Sequence, residues 1–403
     1  MTLYLICFVS GAGFLLSFLL FFHPLQQNVT ANRWLSVFVF IIACAFVSTY
    51  MIITETVISN GFLFKCLNSL QFLLAPSLYI SILYFVTPTK TFRKADWLHF
   101  APFLIYVIAE SICYNRKESI STFTLFAINK NVSFLIRDIL PFMTLLYLIK
   151  SYATLVRHKR NLKRISSNIN QINLDWLVQF LYILLLTVII WINDALFELP
   201  FLTEATPFIY AVSTFFLAYF SIKQRTIFPF KEKDIQEISA FLENEDFKII
   251  AKENDTLVKD SIKKDITIGY EKSKVFEKEK PQFKRLSTEQ ITSLSAQLSS
   301  LMEVDKLFLD NDLNLPTIAE TLGISIHEAS FLINETTKDN FYTYINKYRV
   351  EEAKKLLASS KMGELNILGI AFASGFNSKT TFNTTFKKIV GISPSQYSKE
   401  QKK

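Results

Sequence analysis

Apolar residues are distributed in two ways along this chain. Through residue 230 they form long, nearly unbroken runs, and from Thr288 onward they recur every three or four positions. Seven runs, at about 3–22, 34–54, 62–86, 97–114, 133–151, 176–197 and 206–222, are each close to the roughly 20 residues a helix needs to cross a bilayer. The first lacks a basic leader and a small-residue cleavage site, so it is expected to stay as an uncleaved span. The seventh is the weakest, being interrupted by Thr206, Pro207 and Ser213.

Between residues 231 and 286 the long runs stop. Ile235, Ile238, Phe241 and Leu242 have helical spacing, which predicts a helix leaving the last span. The remainder has mixed charge and little periodicity and reads as a flexible or partly helical tether. From Thr288 the apolar face Ile291, Leu294, Leu298, Leu301 and Met302 predicts another helix. A short helix at Leu315–Leu322, a turn at Gly323 and a helix from about Ile326 to Thr336, capped by Ser325, follow. Two short helices joined by a tight glycine turn make a helix-turn-helix, here with a small core of Ile318, Leu322, Ile324, Leu332 and Ile333. A longer helix spans about Phe341–Ser359, and then the unit recurs. Ile367, Ile370 and Ala371 open its first helix, Gly375-Phe376-Asn377-Ser378 makes turn and cap, and Lys379–Val390 is its second helix, with Phe376, Phe382 and Phe386 facing the core. Ser393 and Pro394 start a last short helix. The expected fold is all-α: a seven-span helical domain at 1–230, a charged linker at 231–286, and a domain of two helix-turn-helix units at 287–403.

Charge refines this picture. The net charge is +8, but residues 1–230 hold 17 Lys+Arg against 9 Asp+Glu, while residues 231–403 hold 26 of each. The excess therefore lies on loops between apolar runs, and the basic character of the chain is not a nucleic-acid footprint. With seven spans and the N-terminus outside, the inside segments carry twelve basic residues and the outside loops three, Arg116, Lys117 and Lys130. By the positive-inside rule the C-terminal domain then lies in the cytoplasm of an inner-membrane protein. The run Arg157, His158, Lys159, Arg160 is a topogenic loop that also meets anionic lipid. Lys65, Glu110, Arg137, Asp138 and Asp194 fall inside or at the ends of spans, where ionisable groups are costly. Either they snorkel to the interface, or Arg137 with Asp194, joined by Glu110, forms an outward-facing site for an unknown signal.

The four cysteines, Cys7, Cys44, Cys66 and Cys113, sit in apolar runs without metal-ligand spacing. No nucleophile is paired with a base, no phosphate-cradling glycine loop appears, and only four histidines are present, so neither catalysis, a cofactor nor a metal site is expected. Inverted repeats and a pair of broken helices, the marks of a transporter, are also missing.

The stretches KLFLDNDLNLPTIAETLGIS, NFYTYINKYRVEEAKKLL and ILGIAFASGFNSKTTFNTTFKKIVGISPSQY, with the spacing G-F-x5-F-x3-F-K-K-x2-G-x2-P, resemble the AraC/XylS-type DNA-binding domain in its Bacteroidetes-like form, over about residues 285–400. The layout of the whole chain resembles members with several N-terminal spans. That resemblance implies transcription regulation through binding of double-stranded promoter DNA. The sequence departs from the family pattern where Glu328, Ala329 and Phe331 stand in the first recognition helix, at Thr384 in the second, and at Ser398 after the final tyrosine. Residues 287–360 carry a net charge of −5 and residues 361–403 one of +5. Since phosphate contacts supply most non-specific affinity, the second unit is expected to dominate.

There, Ser378, Lys379, Thr381, Asn383 and Thr384 are expected to face the major groove, with Lys387 and Lys388 at the backbone and Lys399 assisting. In the first unit the candidates are His327, Ser330 and Asn334. The expected protein is a membrane-anchored DNA-binding regulator that couples a membrane or extracytoplasmic signal to promoter binding. A homodimer through the spans would raise the local concentration of the second DNA-binding domain. The other reading is a membrane receptor or scaffold whose helix-turn-helix domain contacts a protein partner, motivated by the acidic first unit.

Overall fold

The computed structural model describes residues 2–23, 27–57, 59–87, 89–115, 139–169, 172–196, 200–228, 230, 233–242, 286–358 and 366–401. Among them the secondary structure is helical, with one isolated bridge between Ser166 and Asn314. The chain divides into two compact units. One comprises Met1–Lys159 with Gln171–Pro229, and the other Arg160–Asn170 with Phe230–Lys403.

The first unit contains α1 (Thr2–Phe21), α2 (Val29–Ile53), α3 (Gly61–Leu70), α4 (Leu74–Val86), α5 (Ala101–Asn115), most of α6 (Leu140–Ile165), α7 (Asp175–Leu196) and α8 (Pro200–Lys223). A single 3-10 turn at Gln71–Leu73 joins α3 to α4. Helices α1 and α2 pack along small residues: an added methyl at Gly13 would lie 3.0 Å from the Ala43 Cβ. The Ser10 hydroxyl donates to the Ala43 carbonyl at 3.2 Å and the Ser17 hydroxyl to the Ser36 carbonyl at 2.9 Å. Close backbone approach with hydroxyl bonds across the seam is how helices associate where the hydrophobic effect cannot drive them together. The outward faces are apolar, with Phe8, Leu15, Phe18, Leu104, Leu146, Ile189 and Phe215 all more than half exposed. A helix shaped by water carries polar residues on that face.

Among the described residues, five helical segments are long and apolar enough to cross a membrane: Leu3–Phe21, Val29–Ile53, Gly61–Val86, Asp175–Asn193 and Ala205–Lys223. They correspond to the first, second, third, sixth and seventh of the expected runs. The fourth run is divided between a 3-10 segment, Lys94–Phe100, and α5, whose 15 residues are short for a span. The fifth run begins in residues that lie outside those described, and the second half of α6 carries Arg157, Lys159, Arg160, Lys163 and Arg164. Arg137 lies outside the described residues, as do the side chains of Glu110 and Asp194. Cys7, Cys44 and Cys66 are free thiols, with Cys44 buried.

In the second unit, residues 233–242 are helical, as the spacing of Ile235, Ile238, Phe241 and Leu242 predicts, and Ile238, Phe241 and Leu242 are buried. Most of the expected linker, residues 243–285, lies outside the described residues. Then come α9 (Thr288–Glu303), α10 (Leu315–Leu322), α11 (Ile326–Thr337), α12 (Phe341–Ala358), α13 (Ile367–Ala373), α14 (Lys379–Val390) and α15 (Pro394–Gln401). One core joins Val350, Ala353 and Leu357 of α12 to Ile370, Ala371, Phe376, Phe382 and Phe386. Around α10 and α11 the core is Leu315, Ile318, Ala319, Ile326, Ala329, Leu332 and Ile333, whereas Leu322 and Ile324, expected inside, are only half-buried.

Candidate nucleic-acid interface

Two short helix pairs, α10–α11 and α13–α14, turn in the same way. Gly323 and Gly375 both end the first helix at positive φ, 66° and 87°, where a side chain would be strained. Past each glycine the chain reaches back: the Ile324 N–H donates to the Ala319 carbonyl at 3.0 Å, and the Phe376 N–H to the Ala371 carbonyl at 2.9 Å. Each second helix opens on a serine. Ser325 accepts from the Glu328 N–H at 3.2 Å while the Glu328 carboxylate accepts from the Ser325 N–H at 2.9 Å. Ser378 accepts from the Thr381 N–H at 3.2 Å. Such caps satisfy N–H groups that have no partner inside the helix.

On α14 the apolar residues Phe382 and Phe386 point inward, and Lys379, Thr380, Thr384, Lys387 and Lys388 are exposed. Asn383 is half-buried. Thr381 is 8% exposed, with its hydroxyl 2.8 Å from that of Ser378, so among the expected groove residues this pair serves the start of the helix. Thr380 was not anticipated, although its spacing to Thr384, Lys387 and Lys388 is that of one helix face. Lys399 is exposed on α15. The α14 face thus presents five hydrogen-bonding or cationic groups and one amide, with no carboxylate on the helix.

The outward face of α11 differs. His327 and Ser330 are half-buried, and Asn334 is exposed beside Phe331, which is 42% exposed. Glu328 and Glu335 lie on the same helix. The first turn is not open: the Glu237 carboxylate accepts from the Ile326 N–H at 2.6 Å, and the Phe241 ring meets the His327 ring edge-on, 5.7 Å between centroids. Neither Glu237 nor Phe241 was singled out from the sequence as a partner of this helix.

Between the two pairs, α12 carries Arg349, which is 1% exposed. Its Nε donates to the Phe308 carbonyl at 2.7 Å, and its Nη2 to the Asp310 carbonyl at 2.7 Å and the Ser167 hydroxyl at 3.0 Å. Burial pulls its pKa down to about 10, with Asp310 and Asp312 opposing the shift, so the guanidinium stays charged at neutral pH. Ser167 in turn donates through its hydroxyl to the Leu313 carbonyl at 2.6 Å, and the Lys163 ammonium lies 6.0 Å from the centre of the Tyr342 ring. The end of α6 and the residues just after it, through Ser166 and Ser167, thus hold the segment leading into α10.

The family described as "Helix-turn-helix domain" matches residues 318–400, which begins within α10 and takes in the whole of the second helix pair. An uncharacterised HTH-type transcriptional regulator in the cgkA 5′ region of Pseudoalteromonas carrageenovora is 29% identical over 129 residues, 31% of this chain and 73% of that protein. The melibiose operon regulatory protein of Escherichia coli K12 is 31% identical over 90 residues, 22% of this chain and only 29% of that protein. Among solved structures, the C-terminal domain of AraT, a response regulator from Geobacillus stearothermophilus, is 32% identical, covering 29% of this chain and 88% of that one, with a TM-score of 0.24.

Proposed function

From the premise that the C-terminal part of this chain is an AraC-type helix-turn-helix domain of the transcriptional regulators, we propose that the protein is a membrane-anchored regulator that reads promoter DNA with α11 and α14. The observation that carries this reading is the outward face of α14, where Lys379, Thr380, Thr384, Lys387 and Lys388 are exposed on a helix whose opposite side is fully engaged in the core. The Thr380 and Thr384 hydroxyls and the Asn383 amide reach base edges, and lysines neutralise phosphates. Joined by α12, the two pairs act as two reading units, of which the basic second dominates.

Five membrane-length helices with exposed apolar faces support anchoring through the first unit. The proposed topology has seven spans, with α5 and α6 completing the set, an external N-terminus and a cytoplasmic C-terminal domain, in the domain layout 1–230, 231–286 and 287–403. Arg160–Asn170 supports signal coupling, because it continues α6 yet is bound by Arg349 and Leu313 beside the first reading helix pair. Arg137, Asp194 and Glu110 remain the proposed place for the signal, and a homodimer the proposed active form.

The test is chromatin immunoprecipitation of the chain tagged after Lys403, with membrane and soluble fractions blotted in parallel. Discrete promoter peaks from an intact membrane-bound chain, lost on Lys379→Ala with Asn383→Ala, are expected. Peaks carried by a soluble fragment would replace tethered action by proteolytic release. The exposed Phe331 on the acidic first pair favours a second reading, a domain that grips a protein, and absence of peaks under every growth condition would select it.

A further inference from the structure

The first turn of α11 is already occupied. In a helix-turn-helix the N-terminal residues of the second helix contact base edges, and the helix N-terminus, with its unpaired N–H groups and positive dipole end, favours a phosphate. Here the Ile326 N–H is taken by the Glu237 carboxylate at 2.6 Å, and His327, the first outward side chain of the helix, stands with its ring against Phe241. Both partners come from residues 233–242, the helical segment that follows the last apolar run. A second carboxylate, Glu328, closes the cap on Ser325, so the place a DNA phosphate would take is filled by one acidic group and flanked by another. The segment is seated by its own apolar side: Ile238 and Phe241 are 0% and 3% exposed.

We propose that residues 233–242 are an autoinhibitory cover on the first recognition helix, with Glu237 standing in for a DNA phosphate at the N-terminus of α11 and Phe241 holding His327 out of the groove. The proposal rests on the DNA-binding reading above and adds to it that DNA and this segment compete for one face. Release of the cover is then the step that adds the first helix pair to a complex begun by the second. Because the segment follows α8 directly in the chain, a change in the last span can reach it through few intervening residues.

The test uses the full chain in lipid nanodiscs and a labelled random-sequence duplex pool, read by fluorescence anisotropy at fixed salt. Glu237→Gln removes the competing charge, and Phe241→Ala loosens the cover without changing charge. Glu289→Gln, on exposed α9, calibrates the gain that any lost carboxylate brings, and Lys379→Ala reports binding through the second unit. Both cover variants should bind roughly tenfold more tightly than the wild type, the penalty expected when about a tenth of the molecules have the site open. Glu289→Gln should bind like the wild type. Hydrogen exchange at the Ile326 amide should rise in both cover variants while the amides of α12 keep their protection. Unchanged or weaker DNA binding in Glu237→Gln and Phe241→Ala, with Lys379→Ala still reducing binding, overturns the cover and leaves DNA binding standing. An equal gain in Glu289→Gln and Glu237→Gln, with none in Phe241→Ala, overturns it as a general charge effect. Absence of DNA binding in every form, wild type included, overturns both readings together.

Discussion

Replacing Arg349 by alanine should loosen the DNA-binding domain where its helix pairs meet the segments that feed them. The side chain is 1% exposed and its guanidinium serves the Phe308 and Asp310 carbonyls and the Ser167 hydroxyl, at 2.7, 2.7 and 3.0 Å. Removing it leaves these buried acceptors short of a donor, at about 1–3 kcal/mol each where no water enters. Against that, the variant is relieved of keeping a charge inside, a cost visible in the drop of the guanidinium pKa to about 10. The net loss expected is about 3–5 kcal/mol, the range for breaking a buried charged network. Arg349→Lys should recover only part of it, because an ammonium cannot span acceptors that a planar fork reaches together. Ser167→Ala, which removes one acceptor of the guanidinium and the hydroxyl that donates to the Leu313 carbonyl but leaves the Phe308 and Asp310 carbonyls served, should cost about 1–2 kcal/mol. The assay is hydrogen exchange on the full chain in nanodiscs, following amides of α12 and of residues 307–313. At about 1.4 kcal/mol per tenfold, Arg349→Ala should speed exchange there about a hundredfold or more. A change below about tenfold would refute the claim that the fork holds these segments together.

Gly375→Ala tests the same junction from the other side: at φ 87° its Cβ would lie 2.5 Å from the Phe308 carbonyl oxygen. A loss of more than about 2 kcal/mol is expected, about 1–2 from the left-handed backbone and the rest from that clash, read in the same exchange experiment, whereas Gly323→Ala meets open space and should show the backbone cost only. Lys379→Ala should weaken DNA binding across sequences and lower the salt slope by about 1, with no effect on exchange in the core; an unchanged slope would remove Lys379 from the phosphate contacts. His158, buried in the basic half of α6 with its ring against Phe228, has its pKa pushed down by burial to about 4. Its folded value lies below the unfolded one of about 6.5, so protonation favours the unfolded state. The stability held above about pH 6.5 should fall by up to about 3 kcal/mol as pH drops toward 4, of which about 2 is gone by pH 5. Thermal melts of wild type and His158→Phe between pH 7 and 5 check this, and parallel curves would show that another group carries the dependence.

Local chemistry marked most helix ends correctly. Ser325, Ser378, Gly323 and Gly375 announce caps and turns because a side-chain oxygen or a missing Cβ acts within three or four residues of itself, and the structure places α11 and α14 where these residues put them. The inward Phe376, Phe382 and Phe386 were legible for the same reason, since helical spacing alone decides which face they share. The apolar runs likewise announced membrane-length helices, but a run does not say where its helix begins. The fourth came out as a 3-10 segment and a helix of 15 residues because polar Lys94 and Asp96 stand just ahead of it and His99 lies within its first residues.

What only the tertiary structure decided is which polar side chains are buried and which partners they meet, several of them far apart in the chain. Thr381 reads as groove-facing by its polarity, yet its hydroxyl turns to Ser378 and the side chain is buried. Arg349 reads as one more base on a charged helix, yet it is sealed inside and bonded to Ser167, 182 positions away. Glu237 is one carboxylate among thirteen in residues 231–286, and its bond to Ile326, 89 positions on, has no periodicity to betray it. Periodicity reports which side of a helix is apolar. Which charged group is worth burying depends on the carbonyls and N–H groups that folding brings to it, and those come from other parts of the chain.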